Sequence, residues 1–397
     1  MGNLRILTAG ESHGKGLVGI LEGLPAGLKL NREKIDEQLK RRQGGYGRGE
    51  RMQIEFDRAE ILSGVRFGVT LGSPVAVLIE NRDWANWKDR MGVWKGREDS
   101  PVKVPRPGHA DLAGHFKYGH RDLRNVLERA SARETAMRVA LGSIVRQLLE
   151  VFDIWIGSHV IQIQQVTSQE TFRKFCEKLT PGTAEIIREV CARAEESELR
   201  CGNETVDEIM KKTILVAKEN GDTVGGVFEV VALNVPVGLG SCAEWGRRLD
   251  GHLSAELMSI PGIKAVEIGL GIESGSRFGS EVHDPIVPGE TDVPDRSSNR
   301  AGGIEGGMSN GMPIVVRATM KPIPTLKKPL PSIDLETGRA VLAHKERSDV
   351  CAVPAASVVG EAMMAITLGK AFCEKFGGDS LQQMKDHYNV SGKIFSG

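Results

Sequence analysis

Leu4-Arg5-Ile6-Leu7-Thr8-Ala9-Gly10-Glu11-Ser12-His13-Gly14-Lys15-Gly16-Leu17-Val18-Gly19-Ile20-Leu21-Glu22-Gly23 is the stretch on which the fold reading turns. Its first apolar run, Leu4 to Leu7, predicts a strand. A tight, glycine-flanked loop carrying a histidine follows. Gly10-Glu11-Ser12-His13-Gly14 also fits G-x-S-x-G, the turn that presents a nucleophilic serine between a strand and a helix. Residues 16–23, however, predict a second strand rather than a helix. A nucleophile this early in the chain would also lack the sheet that presents it, so the hydrolase reading falls. Two readings of His13 stay open. One is an ordinary glycine turn with a satisfied histidine. The other is a functional histidine that a ligand approaches closely, because no neighbouring Cβ blocks the backbone.

Three later segments match this loop in character: the arginine and glycine cluster at 41–51, Arg106-Pro107-Gly108-His109, and Lys345-Glu346-Arg347-Ser348-Asp349. Repeated glycines turn backbone amides toward an anion, and arginine forks suit phosphate and carboxylate oxygens. The cluster at 41–51 closes a predicted helix, Glu33 to Arg42, with Asn31 as its N-cap. It follows a helix and lacks G-x-G-x-x-G spacing, so it is no dinucleotide fingerprint. Its bland alternative is a solvated basic helix end.

The chain has 397 residues, room for a large core and for two or three average domains. Lys plus Arg, 52, equals Asp plus Glu, 52, so no global charge pulls it toward nucleic acid or an anionic membrane. No apolar run approaches the roughly 20 residues of a membrane span, and residues 1–3 do not open a signal peptide. The six cysteines are scattered without a C-x-x-C pair, against a zinc site or a disulfide framework. A reducing cytoplasm fits. No Pro/Ser-rich linker divides the chain, which predicts one large domain over 1–397. Within it, 168–219 reads as a charged helical insert without chemistry, and 380–397 as a peripheral tail.

Strands are predicted at Met52–Phe56, Pro74–Glu80, Thr223–Val237, Ala265–Ile272 and Pro313–Met320. Gly225-Gly226 marks a bulge or close approach. Residues 82–105, with Trp84, Trp87 and Trp94, read as a long irregular loop. His109, His115, His120, Asp111 and Asp122 lack metal-ligand spacing, which leaves His109 as a catalytic or hydrogen-bonding candidate. The clearest helix runs from Glu128 to about Phe152, with Arg129 and Arg133 on one face. Those two pair with Glu128 and Glu134 or add a second cationic set near Arg42 and Arg48. Further helices are predicted at Trp245–Ser259 and Pro354–Phe376. The glycine loop at 302–311 precedes a strand ending in Lys321-Pro322, a pattern that points to a phosphate-bearing cofactor. The residues alone give an enzyme binding something phosphorylated and carboxylated, with His13, His109 and Asp349 as acid/base candidates.

Gly10–Gly14, Arg41-Arg42-Gln43 with Gly45-Tyr46-Gly47-Arg48-Gly49, Arg51-Met52, Arg106–Asp111 and Arg129–Thr135 resemble chorismate synthases. So do Gly302-Gly303, Gly306–Gly311, Lys321-Pro322 and Arg347-Ser348-Asp349. The motifs fall in the family's order along nearly the whole chain. The resemblance implies an α+β fold, a β-α-β sandwich subunit usually assembled as a homotetramer. It implies anti-1,4-elimination of phosphate from 5-enolpyruvylshikimate 3-phosphate, giving chorismate, with reduced FMN required despite no net redox change. Arg42, Arg48, Arg51, Arg106, Ser131 and Arg133 match substrate ligands. His13 matches the histidine near the leaving phosphate, His109 the one near the flavin ring, and Asp349 the acid near flavin N5. Arg129, Ala130, Ser131, Gly306, Lys321, Pro322, Ile323, Pro324, Thr325 and Arg347 match FMN contacts. Pro261-Gly262 stands where the family commonly has Asn-Ala or Gln-Ala; a backbone contact is compatible with that change. Some members reduce their own flavin with NADPH at Arg42 and Arg48, and others depend on an external flavin reductase. The sequence does not separate these cases. A non-catalytic flavin or phosphometabolite binder on the same scaffold is the alternative, and intact His13, His109 and Asp349 argue against it.

Overall fold

A computed structural model describes residues 4–48, 57–97, 101–289, 294–346 and 348–391. The opening stretch is an antiparallel hairpin, Arg5–Ala9 paired with Gly16–Glu22. Alternation along the second strand buries Leu17 and Leu21 and leaves Val18 and Ile20 on the opposite face. Val75–Glu80 and Glu60–Ile61 complete a four-stranded sheet. The predicted strand Met52–Phe56 lies outside the described residues.

A second antiparallel sheet runs in the order Ile263–Ile268, Ile314–Met320, Gly226–Leu233, Trp155–Ile163, Val166–Thr167. Gly226–Leu233 is buried throughout, because helices cover both of its faces. The close approach predicted at Gly225-Gly226 is present. A Cβ on Gly225 would lie 2.2 Å from the Met320 carbonyl, and one on Gly226 2.0 Å from that of Gln162.

Thr135–Glu150 packs on the first sheet and Val353–Phe376 on the second, and they pack on each other. Small residues set their approach: a Cβ on Gly142 would meet the Ala362 Cα at 2.8 Å and its carbonyl at 2.9 Å. Gly142→Val should therefore cost about 1–3 kcal/mol of overpacking, read as a lower urea midpoint. Val353–Phe376 is long and apolar enough to cross a membrane by composition, contrary to the expectation above, but 89% of that window is buried in the protein. It carries one charged group into the core. Glu361 accepts hydrogen bonds there from Arg41, Arg146, Arg200 and Ser158.

Three expectations need correction. The helix predicted from Glu128 begins at Thr135, after a short 3-10 turn at Ala132–Glu134. Ser131 is extended and its hydroxyl accepts from the Arg133 amide, which stops a continuous helix; Arg129 reaches Thr8 and Gly10, while Arg133 reaches Asp57 and Asn81. The tail is not wholly peripheral: Leu381–Ser391 is a helix that buries Met384 and sets Tyr388 against Phe152, Phe372 and Phe376. The glycine loop at 302–311 is a hairpin, Ile304–Glu305 with Met308–Ser309. Gly302 serves packing, since a Cβ there would lie 2.3 Å from the Gly269 nitrogen, whereas a Cβ on Gly306 would meet only Cys242 Cβ at 3.9 Å.

Candidate active site

A cavity of about 1060 Å³ opens where the 10–15 loop meets segments 46–48, 106–110, 130–135, 260–262, 320–327, 345–346 and 348–350. Ligand pockets usually hold roughly 300–1,000 Å³, so there is room for a cofactor and a small substrate together. The supposed inert insert contributes as well. Ile214, Leu215 and Lys218 of the Glu204–Glu219 helix line the wall.

His13 is seated by its own backbone and by one carboxylate. Its amide donates to Glu128 Oε2 at 2.7 Å, and its ring Nδ1 lies 2.9 and 3.0 Å from the two Glu128 oxygens. An ionised carboxylate only accepts, so Nδ1 carries the proton toward Glu128. Gly10 is needed here: φ is +106°, and a Cβ would sit 2.3 Å from the Gly16 carbonyl. Buried Asn81 stitches the loop by donating to the carbonyls of Glu11 and Gly14. Trp87 stacks on the His13 ring at 4.0 Å. The two readings of His13 thus merge, because Nδ1 is satisfied while the residue borders the cavity.

The arginines are held in preset poses. Arg41 and Arg42 are neighbours on the Arg32–Gln43 helix, about 100° apart. Arg41 turns into the core toward Glu361, and Arg42 turns to the cavity, donating to Thr135 Oγ1 and the Ala132 carbonyl. Arg133 donates to Asp57 Oδ1 at 2.6 Å and to Asn81 Oδ1 at 3.0 Å. Arg48 pairs with Asp349 at 2.7 Å, and the Val350 amide bonds the Gly47 carbonyl alongside. Burial pushes the Arg42 guanidinium down to about 10, against the pull of Asp57 and with help from Arg48 and Arg133. It stays positive at neutral pH, among like charges that an anion would relieve. The expected pairs of Arg129 and Arg133 with Glu128 and Glu134 do not form. Arg129 braces Thr8 and Gly10, and Glu134 pairs with Arg138.

Asp111 organises the other wall. It accepts from His109 Nδ1 at 2.6 Å and from Arg106 Nε at 2.8 Å, and Arg106 reaches Thr325 Oγ1 at 3.1 Å. Burial opposes its ionisation, but the hydrogen bonds from His109 and Arg106 prevail and hold the carboxyl well below the usual range. Asp111→Asn should lower kcat/KM about 10–100-fold, the size of one lost charge-assisted bond in a buried site. Steady-state assay beside wild type checks this.

Of the candidates, His13, Arg42, Arg48, Arg106, His109, Ala130, Ser131, Arg133, Pro261, Gly262, Lys321, Pro322, Ile323, Pro324, Thr325 and Asp349 border the cavity. Arg129 and Gly306 lie off its wall, and Arg51 and Arg347 lie outside the described residues. The reading missed roles for Glu128, Asp111, Asn81, Asp57 and Trp87. Among the described lining residues, four arginines and four lysines face three carboxylates, Asp222, Glu346 and Asp349. The neutral chain therefore concentrates positive charge here. Among the described residues no three His, Cys, Asp or Glu side chains gather as a metal site; His115 bonds the His120 carbonyl instead.

A family model described as chorismate synthase matches residues 4–373. The chain belongs to the chorismate synthase family. It is 57% identical to the chorismate synthase of Aquifex aeolicus over 389 residues, covering 97% of this chain and 96% of that one. Identity to the Trichlorobacter lovleyi chorismate synthase is 52%, covering 96% and 97%. A crystal structure of a chorismate synthase superposes with a TM-score of 0.79 at 46% identity, covering 99% and 98%. The family places this chain among the carbon–oxygen lyases of aromatic biosynthesis, and the mixed helix-and-sheet structure agrees.

Proposed function

We propose that this chain converts 5-enolpyruvylshikimate 3-phosphate to chorismate by anti-1,4-elimination of phosphate, with reduced FMN held beside the substrate in the 1060 Å³ cavity. The observation that carries the reading is the meeting of His13 on Glu128, His109 on Asp111, and Arg42, Arg48, Arg106 and Arg133 around that one space.

The wall suits a flavin. Ala130, Ile260, Pro261, Gly262, Pro322, Ile323 and Pro324 offer an apolar surface of small and flat residues, and Lys321 and Lys327 offer charge for its phosphate. Gly262 has φ +88°, and a Cβ there would come within 3.0 Å of Met320 Cε, so the Pro-Gly variant keeps the backbone approachable. Reduced flavin, when bound, supplies the transient electron donation that helps expel phosphate.

The chain's own groups do the rest. The arginines neutralise and orient one phosphate and two carboxylates through forked contacts. His13, protonated, donates to the oxygen on which charge develops as the C–O bond breaks. Asp349, paired with Arg48, relays the proton taken from carbon 6. His109, fixed by Asp111, holds a proton at the flavin side.

The same proposal takes the two sheets with helices between them as a β-α-β sandwich forming one domain over 1–397, assembled as a homotetramer in the cytoplasm. Exposed Leu7, Val18 and Ile20 on the outer face of the first sheet support subunit contacts. The six free cysteines support a reducing compartment. NADPH at Arg42 and Arg48, or an external flavin reductase, remains the proposed source of reduction. Assay under argon with chemically reduced FMN tests the reaction: chorismate absorbance should rise, and should stay flat with oxidised FMN alone. No product with reduced FMN, in protein shown to bind it, would overturn the proposal. Adding NADPH to oxidised FMN separates the two reductant schemes.

A further inference from the structure

Trp87 lies in the 82–105 loop, which the reaction scheme above leaves without a task. It belongs to a short helical turn, Trp84–Trp87, that is anchored to the His13 loop. Trp84 N bonds the Asn81 carbonyl, and Asn81 in turn holds Glu11 and Gly14. The indole Nε1 donates to Asp83 Oδ2 at 3.0 Å, which sets the ring plane. That plane meets His13 at a centroid distance of 4.0 Å and an angle of 27°.

His13 shares its carboxylate partner. Glu128 Oε1, 2.9 Å from His13 Nδ1, also accepts from Arg124 Nη1 at 3.1 Å. Arg124 lies over the Trp87 ring at 4.9 Å and pairs with Glu346 at 3.7 Å, and Glu346 also binds His344. On the Trp87 turn itself, Asp83 is engaged with the indole and Arg90 lies 5.7 Å from its centre. Glu11 is the remaining carboxylate of the His13 loop, its Oε2 within 3.0 Å of a Cβ built on Gly14. An indole face attracts a cation more strongly than a neutral imidazole.

We propose that Trp87 is a positioning residue for His13: its indole face fixes the imidazole plane and favours the protonated ring, keeping a proton ready for the leaving oxygen. The link to turnover rests on the reading of His13 as the acid; the effect on the ring does not.

The test uses full-length protein, with ¹³C-histidine NMR in the absence of ligands. The His13 resonance is assigned by its loss in His13→Gln. Trp87→Leu should lower the His13 pKa by about half a pH unit, and Trp87→Phe, which keeps a π face, by less. In anaerobic turnover, Trp87→Leu should lose about threefold in kcat above the His13 pKa and little below it, because a lowered pKa deprotonates the acid earlier. An unchanged His13 pKa in both variants would overturn the proposal. So would an equal loss of kcat at all pH values. A shifted pKa in a protein that makes no chorismate would uphold the effect on His13 and overturn the reaction assignment instead. Should Trp87→Leu fail to fold, the smaller shift in Trp87→Phe decides.

Discussion

His13→Ala should lower kcat by about 10²–10⁴-fold, the usual worth of a positioned general acid, with a much smaller change in KM. The arginines proposed to bind the substrate have anchors of their own. Arg133 rests on Asp57 and Asn81, Arg106 on Asp111, and Arg42 on Thr135. On the proposed mechanism, removing the ring takes away an interaction made chiefly as the phosphate departs, which lowers kcat rather than affinity. It also leaves Glu128 with Arg124 as its charged partner, so the urea midpoint should be measured beside the kinetics. A variant that folds and turns over like wild type would remove His13 from the mechanism.

Glu361→Ala should cost about 3–5 kcal/mol of stability, the penalty for breaking a buried ionic cluster from one side. The carboxylate is 1% exposed. It accepts two bonds from Arg41 at 2.8 Å, one from Arg146 at 2.7 Å, one from Arg200 at 3.0 Å and one from Ser158 at 2.6 Å. Alanine leaves three guanidinium groups converging on a cavity. Glu195 offsets part of that charge for Arg41 and Arg200, and Glu150 for Arg146. Burial opposes ionisation of Glu361, yet the arginines, Arg41 foremost, hold its pKa well below the ordinary 4.5. A depressed carboxylate contributes stability that is complete above its unfolded value and lost as pH falls toward its folded one. Wild type should therefore lose stability below about pH 4.5 more steeply than Glu361→Ala. Urea midpoints of both proteins across pH 3–7 check this. Parallel pH curves would refute the assignment of that acid sensitivity to Glu361.

Much of the architecture was legible because period-two and helical patterns are local. The opening hairpin, the Asn31 cap, the strand before Lys321 and the last long helix all follow from neighbouring residues. Ser131 shows where local reading fails. The run from Glu128 has helical composition, but one hydroxyl bonding the Arg133 amide turns the chain. Site residues in glycine-bearing motifs were visible for a physical reason, since close ligand approach demands both small residues and forked cations. Their partners were not. Glu128 stands 115 residues from His13, and Asp57 stands 76 from Arg133; no spacing rule joins them. Arg41 and Arg42 read alike in the sequence, yet a single step around the helix sends one to the core and the other to the cavity. The Glu204–Glu219 helix lies in the stretch expected to be a charged insert without chemistry, and only tertiary packing brings Ile214 and Lys218 to the cavity wall.

The most direct measurement is the product balance of one anaerobic reaction with reduced FMN and 5-enolpyruvylshikimate 3-phosphate, following chorismate, inorganic phosphate and the flavin spectrum together. One phosphate should be released per chorismate formed, with the flavin still reduced when the substrate is spent. Phosphate without chorismate, or flavin oxidised in step with product, would contradict this expectation.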